Sequence, residues 1–228
     1  MTVWEWFGDP ANWTGPNGVW ARTFEQLVLT AVSVGIAAAI ALPAGVLAGH
    51  VRRFGTLVTS IANLGRAIPT FALLLLFASV GAIGVGTPAA VLALIVFAIP
   101  PIITNAHVGV VTVEPQVRSA AIAVGMNGGQ LLRRIEIPLA IPLIFAGLRT
   151  AFVQTAATAT LAAFVGGGGL GRFIIDGFAL QDHTMVLAGV ILVAVLTMSI
   201  EIVLAGVQAV LDPQRRSRVT LSRSRVPV

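Results

Sequence analysis

Long apolar segments constrain this chain more than any other feature. Residues 27–49 carry no charged side chain, and about 20 apolar residues in a helix cross a bilayer core of about 30 Å. Only 10% of the 228 residues are charged, whereas soluble domains have about 25%. The sequence therefore predicts an all-α polytopic membrane protein with about five transmembrane helices: 27–49, 57–80, 88–111, 139–165 and 185–211.

The predicted segments differ in how continuous they are. Asn63, Arg66 and Pro69 interrupt the first half of the second segment. Proline has no N–H to donate and disrupts a helix interior, so Pro100 and Pro101 predict a kink in the third segment. The second segment is therefore the weakest of the five expected spans.

Arginines are distributed unevenly on the two sides of the predicted membrane. Two lie on one side, Arg22 and Arg172. Ten lie on the other: Arg52, Arg53, Arg118, Arg133, Arg134, Arg215, Arg216, Arg218, Arg223 and Arg225. Because cytoplasmic loops are rich in Lys and Arg, we expect the N-terminus outside and the C-terminus in the cytoplasm. The net charge of +5 thus reflects membrane topology, and no nucleic-acid partner is expected.

The segments flanking the expected transport core, residues 24–211, have their own compositions. Residues 1–23 contain four tryptophans, which favour membrane–water interfaces, so we expect an extracytoplasmic interfacial lead. This lead has no basic region before a short apolar run, so no cleavable signal peptide is expected. Residues 212–228 are rich in arginine and are predicted to form a cytoplasmic basic tail.

Missing residue types exclude several chemistries. The chain has no cysteine, so thiolate metal sites and cysteine nucleophiles are excluded. It has no lysine, which a Walker A phosphate-binding loop requires. His50, His107 and His183 are too far apart in the sequence for a helical metal-binding pair. The sequence therefore predicts no catalytic residue, no metal ligand and no bound cofactor.

One loop is longer than the others, residues 112–138. Pro115 suits the start of a helix, and small residues at 119–123 precede Gly125, which permits a reversal of the backbone. An amphipathic stretch then leads to Pro138. Two interpretations are open at this point: a short helix that docks into a groove of another protein, or an amphipathic helix that lies on lipid.

The spacing within this loop resembles the EAA loop of ABC importer permeases. The matching residues are Ala120, Ala121, Gly125, Ile135 and Pro138. Ser119 stands where that family usually has glutamate, and Ile137 stands where it has leucine. The resemblance implies a type I importer (MetI-like) permease core over residues 24–211. It also implies that Ser119–Gly125 forms a coupling helix seated in an ATPase subunit, which would bind and use ATP and magnesium.

Other segments resemble the osmoprotectant branch of that family, notably 66–73, 100–105, 146–151 and 158–171. The resemblance implies a permease for glycine betaine, choline, carnitine or proline betaine, substrates that are zwitterions or quaternary ammonium ions. Methionine-importer permeases share the fold, so import of methionine or another amino acid is the alternative. The implied partners are two ATP-binding subunits, a second permease (identical or paralogous) and an extracytoplasmic substrate-binding protein. The implied location is a bacterial plasma membrane.

Polar residues within the spans are candidates for the translocation path. They are Asn105, Arg149, Gln154, Thr155 and Thr158. Intramembrane charges face protein or water, so Arg66, Arg149 and Glu201 either line the path or form structural ion pairs. The neutral residues of the set have a second interpretation as hydrogen-bond partners between helices.

A glycine-rich segment follows the fourth expected span. Its glycines are Gly166, Gly167, Gly168, Gly169 and Gly171. The spacing fits a dinucleotide-binding fingerprint, but that fingerprint requires a preceding strand. We therefore expect a turn on the outer side, with a role as a gate or as a docking surface for a binding protein.

Two other functional classes compete with the importer. A secondary transporter or channel would need no ATPase, but we see none of the inverted repeats typical of many such folds. A membrane scaffold would use the basic tail to bind anionic lipid. The long loop at 112–138 favours the importer over both.

Overall fold

The computed structural model of the chain describes residues 2–211, and the predicted tail, 212–228, lies outside them. Within these residues the chain forms α-helices, short 3-10 segments at Pro10–Asn12 and Ala159–Val165, and a π-helical turn at Leu132–Glu136. The α-helices are α1 (Val3–Gly8), α2 (Val19–Val51), α3 (Gly55–Ala67), α4 (Thr70–Ser79), α5 (Thr87–Val111), α6 (Pro115–Ala123), α7 (Gly128–Leu131), α8 (Ile137–Thr158), α9 (Gly171–Ala179) and α10 (His183–Leu211).

Four stretches of helix are long and apolar enough to cross a membrane. These four stretches are α2, α5, the continuous helical stretch 128–165 and α10. The expected second span, 57–80, is instead a pair of helices, α3 and α4, bent by 79°. The bend lies at Pro69, which cannot donate a backbone hydrogen bond and restricts the residue before it. The all-α class is confirmed, with four continuous spans and one broken segment within residues 2–211.

The second half of the long loop has a different structure from the expected one. Residues 128–138 were expected to form a separate amphipathic stretch, but they are continuous with the fourth span through α7, the π-helical turn and α8. The Asn127 side chain accepts a hydrogen bond from Gln130 N–H and caps this helix. The helix that contains the fourth expected span, 139–165, therefore begins at Gly128 and continues without a break from the loop into that span.

Helices α2, α5 and α8 form the centre of the bundle through small residues. A Cβ on Gly45 would lie 2.6 Å from Ile103 O, and one on Gly147 would lie 2.6 Å from Asn105 Cβ. Because membrane helices gain little from hydrophobic burial against each other, they associate by such close backbone packing. Ala37, Ala98 and other small side chains are fully buried at these contacts. The packing fixes the spacing of α2, α5 and α8.

The tryptophan-rich lead folds partly onto the protein. Thr2 and Glu5 form a capping box at the start of α1. Trp6 is 5% exposed and packs edge-to-face on Phe173 of α9 at 5.5 Å, whereas Trp4 is 82% exposed. We call this end of the bundle the α1 end and the opposite end, which carries α6 and the last turn of α2, the α6 end.

Candidate functional site

The 112–138 segment begins with a helix and a tight turn. Helix α6 starts at Pro115 and ends at Ala123. Gly125 has a φ of +88°, in the left-handed region that glycine adopts without steric cost, and its N–H donates to Ile122 O at 2.9 Å. The predicted short helix and glycine turn are therefore confirmed, while their role in coupling stays a prediction.

The motif residues differ in exposure and in the element that carries them. Ser119 and Ala120 are exposed on α6, and Ala121 is buried. Ile135 is half-buried in the π-helical turn, and Pro138 is exposed at the start of α8. The first half of the motif thus presents an accessible surface, and the second half belongs to the fourth span. Apolar side chains extend that surface, because Ile122 is 54% exposed and Val124 is 76% exposed.

A buried ion network lies beneath α6 and consists of His50, Arg118 and Glu136. The Glu136 side chain has no solvent exposure. Arg118 Nη1 donates to Glu136 Oε1 at 2.7 Å, and His50 Nδ1 lies 2.5 Å from Glu136 Oε2. The Arg118 guanidinium also donates to His50 O, at 3.3 Å from Nη2. The network therefore joins α2, α6 and the π-helical turn.

Arg52 makes a second link at the α6 end. Its φ is +56°, a conformation that is uncommon for a residue with a Cβ. Its Nη2 donates to Val111 O and to Val113 O, each at 3.3 Å. Carbonyls at the end of a helix lack partners within the helix. Arg52 thus ties the end of α2 to the connection between α5 and α6.

The glycine turn comprises Gly166, Gly167, Gly168, Gly169 and Gly171. Two adjacent side chains of α2 accept hydrogen bonds from its backbone: Gly169 N–H donates to Glu25 Oε2 at 2.8 Å, and Leu170 N–H donates to Gln26 Oε1 at 3.2 Å. Gln26 is 1% exposed, and its Nε2 also donates to Ala156 O at 2.7 Å. The turn follows a 3-10 segment instead of a strand, so the dinucleotide fingerprint lacks its required context.

Arg149 and Gln154, two of the predicted path residues, line a cleft of about 390 Å³ between α8 and α10. Arg149 pairs with Glu201: Nε donates to Oε2 at 3.0 Å, and Nη2 donates to Oε1. Arg149 Nη1 also donates to Gln208 Oε1 at 2.7 Å. The ion pair considered for these two charges is therefore present, and it lies on the surface of the cleft, which we call the polar cleft. The side chain of Arg66 lies outside the described part of the structure.

The remaining path candidates lie elsewhere. Asn105 faces Gly147 of α8, and its Nδ2 donates to Pro101 O at 2.8 Å, within its own helix. Thr155 is buried, and its hydroxyl has no partner among the described residues. Thr158 is half-buried at the end of α8. Of the five candidates, the polar cleft brings together only Arg149 and Gln154.

Sequence reasoning did not single out Glu25, Gln26, His50, Arg118 or Glu136 as functional residues. One signal was present for Glu136, a carboxylate between Ile135 and Ile137 just before Pro138. A charge among apolar residues needs a partner when it is buried. Its partners lie 18 residues away in Arg118 and 86 residues away in His50, and at either separation the pattern of neighbouring residues does not identify them.

Comparison with known proteins gives the chain a consistent set of relatives. The family model described as "Binding-protein-dependent transport system inner membrane component" matches residues 41–217. The osmoprotectant import permease protein OsmW of Salmonella typhimurium is 36% identical over 84% of this chain and 91% of its own length. The glycine betaine/carnitine/choline transport system permease protein OpuCB of Bacillus subtilis is 33% identical over 85% of this chain and 88% of its own.

The fold is also similar to that of a solved transporter. A chain of the MetNI methionine ABC transporter, in an inward-facing conformation, superimposes with a TM-score of 0.74. The superposition covers 90% of this chain and 99% of that one, at 24% sequence identity. At 24% sequence identity, this superposition is evidence for a shared fold alone.

Proposed function

The chain belongs to the family of binding-protein-dependent transport system inner membrane components, and from this premise we propose that it is the permease of an ATP-driven importer for compatible solutes. The proposed substrates are glycine betaine, choline, carnitine or proline betaine. The observation that carries this substrate class is the 36% identity to an osmoprotectant permease over 84% of the chain. Import of methionine or another amino acid is the alternative, because a methionine transporter shares the fold.

In this proposal ATP is hydrolysed by separate subunits. The chain lacks the lysine that a Walker A loop places on nucleotide phosphates. ATP and magnesium are therefore assigned to a partner ATPase, and the permease binds no cofactor of its own. The chain contributes the path and the element that responds to the ATPase.

We assign that response to α6. Its surface carries Ser119 and Ala120 together with the exposed apolar side chains Ile122 and Val124. Small side chains allow close approach of a partner backbone, and apolar ones gain free energy when covered. Ser119 stands where ABC importer permeases usually have glutamate, so the proposed contact with the ATPase lacks that carboxylate. The contact then depends on close packing and on burial of apolar side chains.

The importer needs further subunits. One permease carries one coupling segment, so two ATPase subunits require a second permease, identical or paralogous. The chain has no tyrosine and its four tryptophans precede residue 21, so beyond that residue only phenylalanine is left to attract a quaternary ammonium ion, and it does so less strongly than tryptophan. Selective capture of the solute is therefore assigned to an extracytoplasmic binding protein.

The proposed orientation places the α6 end in the cytoplasm. Arg52, Arg53, Arg118, Arg133 and Arg134 belong to segments at this end, in agreement with the preference of cytoplasmic loops for positive charge. The glycine turn and the lead then lie outside. The ATPase binds on the cytoplasmic side, and the binding protein delivers the solute at the α1 end.

We place the translocation path along the polar cleft. The Arg149 side chain is 29% exposed and that of Glu201 is 40% exposed in the single chain. Charged groups at membrane depth face water or protein rather than lipid, so the second permease and the aqueous path cover this cleft. A zwitterion carries the partners that these two groups now give each other, a carboxylate for the guanidinium and an ammonium group for Glu201, so in this proposal the ion pair opens when the solute binds.

The proposal is tested by uptake into proteoliposomes that contain the complete importer: this permease, its partner permease, the ATPase subunits and the binding protein. We expect labelled glycine betaine, choline or carnitine to accumulate only with ATP. Accumulation of methionine but of no quaternary ammonium solute would contradict the substrate class. Accumulation without ATP would contradict the importer itself.

A pair of variants at Gly125 tests the coupling segment in the same assay. No heavy atom lies within 4 Å of an added Cβ, so substitutions there act through the backbone alone. Valine is strained at a φ of +88°, whereas asparagine tolerates the left-handed region. We expect Gly125→Val to lower ATP-dependent uptake by about ten-fold and Gly125→Asn to retain it. Equal uptake by the two variants would contradict a role for this turn.

A further inference from the structure

Helix α6 is held to the rest of the protein by few apolar contacts. Ala121 is the one buried residue of Pro115–Ala123. Beyond the helix, Gly125 is exposed and has open space around it. Since apolar packing sets the position of a helix only where side chains interdigitate, packing by itself leaves the angle of α6 weakly defined.

The buried ion network supplies the missing connection. Both carboxylate oxygens of Glu136 are used, one by Arg118 and one by His50. A fully buried carboxylate retains its charge only with such partners, and the two partners come from different helices. Hydrogen bonds in which the donor or the acceptor is charged are stronger than hydrogen bonds between neutral groups. The network therefore fixes the position of α6 against two other elements.

These two elements reach the opposite end of the bundle. Glu136 ends the π-helical turn within the continuous stretch 128–165, which also contains Arg149 of the polar cleft. His50 lies in the last turn of α2, whose first turns hold the glycine turn through Glu25 and Gln26. Both helices therefore connect the network at the α6 end with residues farther along the bundle.

We propose that Glu136 is a positioning residue that transmits the movement of α6 to α2 and to the fourth span. This inference rests on the proposed function, because the partner ATPase is what moves α6. Without the carboxylate, α6 still carries its docking surface, but its movement is absorbed at the Gly125 turn. Hydrolysis of ATP then continues while transport per hydrolysed ATP falls.

The test uses the complete reconstituted importer and two variants of the network. Arg118→Gln removes the partner that is 22% exposed, so its site can be filled by water, and Glu136→Gln removes the buried charge itself. Arg53→Gln is the matched control, because Arg53 is an exposed arginine at the same end of the bundle. Uptake and ATP hydrolysis are measured together. We expect uptake per ATP to fall about ten-fold in both network variants and to stay unchanged in the control.

A second measurement is independent of the substrate. Because the chain has no cysteine, spin labels can be placed on Val51→Cys at the end of α2 and Ala123→Cys at the end of α6, both exposed. We expect a narrow distribution of distances between the labels and a broad one when Arg118→Gln is added. This measurement reports the position of α6 directly.

The outcomes separate the inference from the function on which it rests. Normal uptake per ATP with an unchanged label distribution in the network variants would overturn the positioning role. If the importer with Glu136→Gln does not assemble, the Arg118→Gln variant provides the test, because water can fill the space left by the shortened side chain. A wild-type importer without ATP-dependent uptake would contradict the proposed function, and the label distribution would still decide whether the network positions α6.

Discussion

At the α6 end, α2 takes part in a network of charged side chains and is also held by Arg52 on two backbone carbonyls, whereas at the α1 end two of its side chains accept hydrogen bonds from the backbone of the glycine turn. His50 shares the buried carboxylate of Glu136 with Arg118. Glu25 and Gln26 instead accept hydrogen bonds from the N–H groups of Gly169 and Leu170. The contacts of Glu136 therefore depend on a charge, and those of the glycine turn depend on a backbone that approaches α2 closely.

The difference decides which substitutions each end tolerates. A buried charge is lost by removing one functional group, and its partners are then left uncompensated. A close backbone approach is lost by adding a Cβ, even though no polar group changes. A Cβ on Gly169, for example, would lie 2.3 Å from Gln26 Oε1. Removal of the Glu136 charge should therefore destabilise the α6 end, and glycine-to-alanine variants in the glycine turn should destabilise the α1 end.

The largest effect is expected for Glu136→Ala. It leaves Arg118 and His50 without their shared acceptor, and we expect the free energy of unfolding in detergent to fall by about 4 kcal/mol. Glu114→Ala is the control, since Glu114 is an exposed carboxylate at the start of α6 with no side-chain capping bond. Its effect should stay within about 0.5 kcal/mol. Equal losses in the two variants would show that the α6 end does not depend on the buried charge.

Gly171→Ala should have the next largest effect, at the α1 end. The added Cβ would lie 2.0 Å from Thr160 O, a backbone atom that cannot rotate away, so we expect a loss of about 3 kcal/mol. Gly81→Ala is the control, because no heavy atom lies within 4 Å of its added Cβ. A stability of Gly171→Ala equal to that of Gly81→Ala would remove the contrast between the two ends.

Much of the architecture could be predicted from the sequence because its causes are local. The apolar segments 27–49, 88–111 and 185–211 are recognised one at a time, and each falls within or largely within a long helix. The turn at Gly125 was predicted from its spacing after small residues. Pro69 indicated a weak second span, but a proline does not by itself specify the angle of 79° between α3 and α4.

The polar contacts of the site could not be predicted because they join distant parts of the chain. Glu25 and Gly169 are 144 residues apart, and Arg149 and Glu201 are 52 apart. Arg149 and Glu201 stand out as charges within apolar segments, but Glu25 and Gln26 look unexceptional in their own segment, since a polar side chain near a helix end is normally solvated. Gln26 is distinguished by its burial and by its hydrogen bonds to the backbone of residues 156 and 170. These contacts form only when α2, α8 and the segment before α9 assemble.

The smallest effect is expected for a charge that lies at the α1 end but is not buried. Arg172 Nη2 lies 2.9 Å from Asp176 Oδ1 one turn along α9, and both side chains are about one-third exposed. Solvent screens such a pair, and holding two long side chains costs entropy, so Arg172→Gln should change the free energy of unfolding by only about 0.3 kcal/mol. Measured beside Glu136→Ala, this variant separates burial from charge: both break an ion pair, yet only Glu136 is fully buried. A loss at Arg172 comparable to that at Glu136 would mean that ion pairs stabilise both ends alike and that the backbone contacts of Glu25 and Gln26 are not what distinguishes the α1 end.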